Sequence, residues 1–318
     1  MLKRLTAFLL ALVVIMLSGC ANKTDSKTAI YFDTVVSLSA EGGIPKEAFA
    51  LCERYDKLLS VTNQDSQIYK LNQEGKLSVD DDVAELIQLA LQYSKLSNGK
   101  FDITVYPLKQ LWDFKEQKIP TENQINKAKK KVGYKNIKVK GNQITLSGGA
   151  QIDLGAIAKG YIADRLAELY IAEKKSGVIN LGGNIMLPKT RKKPYKIGIT
   201  DPKDTKETAA VVEVTCGAVV TSGTYQRSFS KDGKLYHHIL DTATGYPVET
   251  GIASVTILAE SATTADALST TVICMGKIEG LKLINSMDNT EAVIITDSGE
   301  ILLSSGLERL GETIKIKQ

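Results

Sequence analysis

Between residues 235 and 275 the hydrophobic period of the chain changes from two to 3.6, and that change sets the fold class. Residues 235–240 and 252–258 read as strands, with Gly245-Tyr246-Pro247 turning between them. Ala262–Met275 then reads as a helix, with Ser261 as its N-cap and Gly276 just past its end. A hairpin feeding a helix does not fit an alternating βαβα chain. The remainder mixes the same parts. Helices are expected at 45–59, 82–97, 121–132, from the bend near Gly155 to about 175, and at 277–286. Strands are expected at 29–40, from residue 100 until Pro107 breaks it, and at 177–187, 195–200, 209–215 and 224–230. Hairpins turn at Gly141-Asn142 and Asp297-Ser298-Gly299, and Thr221-Ser222-Gly223 reads as a turn. The expected class is α+β: antiparallel sheets packed with helices in one catalytic domain, residues 30–318.

A chain of 34.5 kDa can bury a sizeable core. Its net charge of +4 leaves no nucleic-acid footprint. Lys3-Arg4 precede an apolar run, residues 5–17, that is short for a membrane span. It ends Leu17-Ser18-Gly19-Cys20, which resembles a bacterial lipoprotein signal. That resemblance implies removal of residues 1–19, lipidation of Cys20, a polar tether over 20–29, and a domain anchored by lipid at the extracytoplasmic face of the cell membrane. Outside the signal stand Cys52, Cys216 and Cys274, far apart and without metal spacing, so buried free thiols are expected.

Candidate chemistry is sparse. His237 and His238 are the only two histidines, and they alternate to opposite sides of one strand. Asp266 and Thr270 are four apart on the expected helix, so they share a face. A carboxylate and a hydroxyl are hard oxygen ligands of the kind Mg²⁺ takes while keeping other positions open. The same pair also occurs on helices with no metal. Residues 151–160 pass from strand through a glycine bend into a helix, with Lys159 at its start. No GxxxxGK[ST] or GxGxxG pattern is present, yet a helix N-terminus beside a lysine can hold phosphate. Gly182-Gly183 mark a bulge or a close backbone approach to a ligand, and Trp112 reads as a core aromatic.

Six ordered motifs resemble the FAD:protein FMN transferases of the ApbE family. They are Phe101-Asp102 with Thr104; Asp153-Leu154-Gly155 through Ala158-Lys159-Gly160-Tyr161; Asn180-Leu181-Gly182-Gly183-Asn184; Thr221-Ser222-Gly223; His238-Ile239 with Asp241 and Thr244-Gly245; and Ala265-Asp266-Ala267-Leu268 with Thr270. Two places depart from the pattern: Phe32-Asp33-Thr34 stands where the family has Met-Gly-Thr, and Thr242 where it has Pro. The resemblance implies an FAD site lined by Phe101, Asp102, Asp153, Lys159 and Leu240. It implies Mg²⁺ held by Asp266, Thr270 and the carbonyl of Ala156, and His238 as the base. The implied reaction moves the FMN half of FAD onto a Thr or Ser hydroxyl of another protein and releases AMP.

Elementary chemistry agrees with these roles. Cleaving a pyrophosphate is mostly positioning and charge neutralisation, and an alcohol needs a base to become a good nucleophile. The acceptor motif that the family implies, Asp-x-Ser/Thr-Gly-Ala-Ser/Thr, is absent from this chain, so the acceptor lies on a partner, an extracytoplasmic redox protein. Two alternatives stay open on sequence: an FAD pyrophosphatase using the same metal and pocket, and a non-catalytic FAD-binding lipoprotein.

Overall fold

The structure, a computed structural model, describes residues 24–189 and 192–317. Cys20, the signal at 1–19 and the start of the tether lie outside the described residues. Eight strands form one wholly antiparallel sheet in the order β1 (Thr24–Tyr31), β2 (Thr34–Glu41), β6 (Gly177–Leu181), β7 (Asn184–Leu187), β10 (Gly217–Gly223), β13 (Ile252–Ala259), β14 (Thr290–Thr296), β15 (Ile301–Leu303). A second sheet runs β16 (Leu307–Leu310), β17 (Thr313–Ile316), β9 (Thr208–Val214), β8 (Tyr195–Thr200), with one parallel pair, β17 and β9. Smaller units are the sheet β3 (Lys76–Ser78), β5 (Gln143–Leu146), β4 (Ile137–Lys140) and the ribbon β11 (Ser228–Lys231), β12 (Lys234–His237). The helices are α1 (Ala48–Leu59), α2 (Gln67–Glu74), α3 (Asp81–Leu96), α4 (Tyr106–Lys109), α5 (Glu122–Lys129), α6 (Ala158–Ala172), α7 (Ala262–Met275) and α8 (Lys277–Ile284). The expected α+β class holds. Among the described residues no helix is long and apolar enough to cross a membrane.

Both faces of the large sheet are covered, because its strands send alternate side chains into two cores. Val36, Leu38 and Ala40 of β2 join the helices on one side. Val178, Ile185, Val219 and Val293 meet Tyr195, Ile197 and Val212 of the second sheet on the other. α7 sits within the first core and is buried almost all round, its polar Thr263, Asp266, Ser269 and Thr271 included. Its cap is as expected: Ser261 Oγ accepts from Thr264 N. A third cluster gathers Trp112, Leu108, Ile125 and Leu240 beside the ribbon. Trp112 is a core aromatic, with Nε1 donating to the Gly245 carbonyl at 3.2 Å.

Several elements differ from the sequence reading. The strand expected at 29–40 is a hairpin, β1 and β2, turned by Phe32 and Asp33, which both sit at positive φ (55° and 54°) although neither is glycine. β1 also reaches back to Thr24, into the stretch read as tether. Residues 177–187 are likewise two strands, turned by Gly182 and Gly183. Residues 103–109 are helical, because the Asp102 carboxylate caps Thr104 N. Thr221-Ser222-Gly223 ends strand β10 and is not a turn. Helix α2 was not expected, and Cys216 is exposed while Cys52 and Cys274 are buried.

Candidate active site

One cleft of about 1330 Å³ takes side chains from both layers. Phe101, Asp102, Asp153, Ala156, Lys159, His238, Leu240, Asp266 and Thr270 all line it. Nine residues spread over 170 positions thus meet in one place, and the packing of α6 and α7 against the sheet sets three of them, Lys159, Asp266 and Thr270. That packing needs Gly160: a Cβ there would lie 2.2 Å from the Ala262 carbonyl oxygen. The close approach lets Gly160 N donate to Asp266 Oδ2 at 2.9 Å, across two helices.

Asp266 is buried, 2% exposed, and carries few compensating contacts: that one N–H, and Lys159 Nζ at 3.9 Å from Oδ1. Thr270 follows one turn later, with Ser222 Oγ 3.5 Å from its hydroxyl. The N–H four residues after Ala156 is the one given to Asp266, so the Ala156 carbonyl does not receive it. Carboxylate, hydroxyl and carbonyl therefore border the cleft as hard oxygen donors. Among the described residues no three His, Cys, Asp or Glu side chains gather as a metal site; this set holds only one carboxylate. Cys274 also lines the cleft, and burial pushes its thiol up to about 12, so it stays protonated.

Asp153 accepts from Gly155 N at 2.7 Å and pairs with Lys109. Burial alone would raise its pKa. The Lys109 ammonium, the Gly155 N–H and Arg227 outweigh burial and hold the carboxyl below its ordinary value. Asp102 behaves differently. Its oxygens accept from Thr104 N, Thr104 Oγ1 and Tyr134 N, so it braces two backbone segments, and burial still raises its pKa. Phe101 is buried against Tyr93, and Leu240 bridges to Pro247.

The two histidines part as expected. His237 is buried, with Nε2 3.1 Å from the Val248 carbonyl. His238 faces the cleft, and its Nδ1 is buried without a partner. Burial, then Arg227, Lys109, His237 and Lys159, push its imidazole down to about 3, so it is neutral at physiological pH. Lys109 and Arg227 were not found from sequence. Each acts across the fold rather than within a motif: Lys109 reaches an aspartate 44 residues away, and Arg227 lies at the start of a ribbon that read as part of one strand.

The ApbE family's sequence model matches residues 32–294. The chain belongs to the ApbE family. It is 30% identical over 287 residues to the FAD:protein FMN transferase of Treponema pallidum, covering 82% of this chain and 79% of that one. It is 32% identical over 262 residues to the FAD:protein FMN transferase of Escherichia coli K12, covering 77% and 74%. The fold superposes on the ApbE protein of Thermotoga maritima with a TM-score of 0.83 at 31% identity, over 89% of this chain and 97% of that one. It matches the flavin transferase ApbE of Vibrio cholerae with a TM-score of 0.79 at 25% identity, over 90% and 98%.

Proposed function

We propose that this protein transfers the FMN half of FAD to a Thr or Ser hydroxyl of an acceptor protein and releases AMP. Family membership makes the chain a transferase, and flavin transfer is the activity its relatives are named for. The observation that carries the finer reading is the convergence of a neutral, cleft-facing imidazole with buried Asp266 and Thr270 in one cleft large enough for a dinucleotide.

Asp266, Thr270 and the Ala156 carbonyl fit Mg²⁺, because a buried carboxylate with one N–H and a distant ammonium retains charge for a cation to neutralise. When bound, Mg²⁺ supplies Lewis-acid stabilisation of charge on the phosphates. The chain's own residues do the rest. Lys159, at the start of α6, offers its ammonium to phosphate oxygens. The Lys109–Asp153 pair fixes another part of the lining. His238 takes the proton of the acceptor hydroxyl as that oxygen attacks phosphorus, which it can do only while neutral.

Incubation of the purified protein with FAD, Mg²⁺ and a protein carrying Asp-x-Ser/Thr-Gly-Ala-Ser/Thr tests this reading. AMP together with FMN-protein is expected. AMP with free FMN means a pyrophosphatase, and intact FAD means a carrier.

The location is proposed with it. Cys20 is the lipid attachment site, and the acceptor is a redox protein of the same extracytoplasmic face. Cys20→Ala is expected to move the protein from the membrane fraction to the soluble one. Equal partitioning of the two forms would refute the anchor.

A further inference from the structure

Arg227 stands directly across the ribbon from His238. The register pairs Ser228 with His237 and Phe229 with Tyr236, so the next rung sets Arg227 opposite His238. The His238 N–H closes that rung by donating to the Arg227 carbonyl at 3.1 Å. Opposite residues on an antiparallel pair share a face, with Cβ atoms about 4.5–5.5 Å apart. Here that face is the cleft, which both residues line.

The other cleft cations have anions of their own. Lys109 pairs with Asp153, Lys100 lies 3.3 Å from Asp241, and Lys159 lies 3.9 Å from Asp266. Among the described residues the Arg227 guanidinium makes no ion pair, and no carboxylate contacts His238, whose Nδ1 is buried without a partner. Arg227, Lys109 and Lys159 all act on that ring as positive charges, and neighbouring His237 adds to them on protonation. An imidazolium formed there has no carboxylate in contact with it, and Asp153, which feels Arg227, is paired to Lys109.

We propose that Arg227 is a second substrate-contacting residue, whose guanidinium clamps the phosphate being transferred and holds it beside His238. The proposal rests on the flavin-transfer reading above. A guanidinium presents a planar fork that matches two phosphate oxygens, which a lysine does not. In the step itself, the acceptor oxygen bonds to the FMN phosphorus and its proton passes to His238. The bond from phosphorus to the bridging oxygen breaks, and its electron pair leaves on AMP. The phosphate held by Arg227 is then the counter-ion of the new imidazolium, so one residue both positions the electrophile and makes the base effective.

The two histidines make this testable by NMR, with His238→Gln assigning the ring signals. In the wild type, FMN without metal is expected to shift the His238 signal and raise its titration midpoint by about one unit or more, as a phosphate within contact of an imidazole does. Riboflavin, which lacks the phosphate, is expected to do neither. In Arg227→Gln the FMN effect on His238 is expected to disappear while the His237 signal stays in place, which also reports an intact ribbon. Single-turnover transfer at saturating FAD is expected to fall about a hundredfold, the usual scale for losing one transition-state contact. Arg227→Lys is expected to recover part of that loss, since it keeps charge without the fork. Transfer by Arg227→Gln within twofold of wild type, or an undiminished FMN shift in that variant, overturns the clamp. If wild-type protein yields no FMN-acceptor while FMN still shifts His238 through Arg227, the transfer reading fails and the phosphate clamp stands.

Discussion

The two halves of the cleft are held in opposite ways. Asp266 and Thr270 ride on α7, which is buried almost all round and pressed onto α6 where Gly160 has no Cβ. His238 follows a two-stranded ribbon that, among the described residues, pairs with no other strand. Aromatic contacts hold the ribbon to its surroundings: Tyr236 lies 5.8 Å from Trp112, and Phe229 6.2 Å from Phe114. Asp266 and Thr270 are thus fixed by the main core, while His238 follows a ribbon packed on a satellite cluster. Changes at the α6–α7 contact should act on the fold first. Changes on the ribbon side should act on chemistry alone.

The sharpest break of this contrast is Gly160→Ala. The new methyl meets a backbone carbonyl, which cannot rotate away. A loss of about 3 kcal/mol is expected, the upper part of the usual range for overpacking, and urea denaturation measures it. An unchanged midpoint would mean that α6 and α7 can slide apart, and the rigid half of the comparison would be lost.

Asp266→Asn should leave the fold nearly intact, because an amide oxygen can still accept from Gly160 N. Transfer is expected to fall by about a thousandfold at fixed Mg²⁺, with some of the loss recovered as Mg²⁺ is raised, since one anionic ligand has become neutral. Full activity of the variant in a chelator would remove the metal from this site. His238→Ala, on the ribbon side, should keep FAD affinity near wild type while single-turnover transfer falls about a hundredfold. The assignment is falsified if that variant transfers FMN at the wild-type rate.

The same contrast governs what the sequence disclosed. α7 was legible to the residue, because a serine cap, apolar residues at helical spacing and a glycine stop are all local signals. So was the hairpin of β4 and β5. The misreadings are places where a tertiary contact overrides local propensity. The turn at Phe32 and Asp33 carries no glycine, and Phe32 N is tied to Asp56 24 residues away. Residues 103–105 have a β-branched look, yet Asp102 caps them into a helical turn while its other oxygen holds Tyr134 N. All nine expected site residues line one cleft, and each lies within a recognisable motif. Lys109 and Arg227 belong to none of those motifs, and their importance comes only from what stands across from them.

The smallest expected effect concerns pH, and it follows from the charges around the ribbon. Burial and the nearby cations hold His238 near 3, far below the ordinary imidazole value of about 6.5. Transfer measured as kcat/KM for FAD reports the free enzyme, so between pH 7.5 and 5.5 it should fall by less than about twofold. An unperturbed imidazole would be about nine-tenths protonated at pH 5.5 and would lose about tenfold. Asp153 stays ionised across this window, since its own value is held low. kcat should show its acid limb at higher pH than kcat/KM, because a bound phosphate neutralises the cations that depress the ring. For stability the sign is fixed by linkage. The unfolded chain takes up a proton at His238 below about 6.5 while the folded one resists until near 3. The contribution of His238 is therefore fully present above 6.5 and is lost progressively as pH falls through that interval. A kcat/KM limb near 6.5 in the wild type would show that the ribbon opens to solvent in the free enzyme, and that the satellite cluster does not hold the base in place.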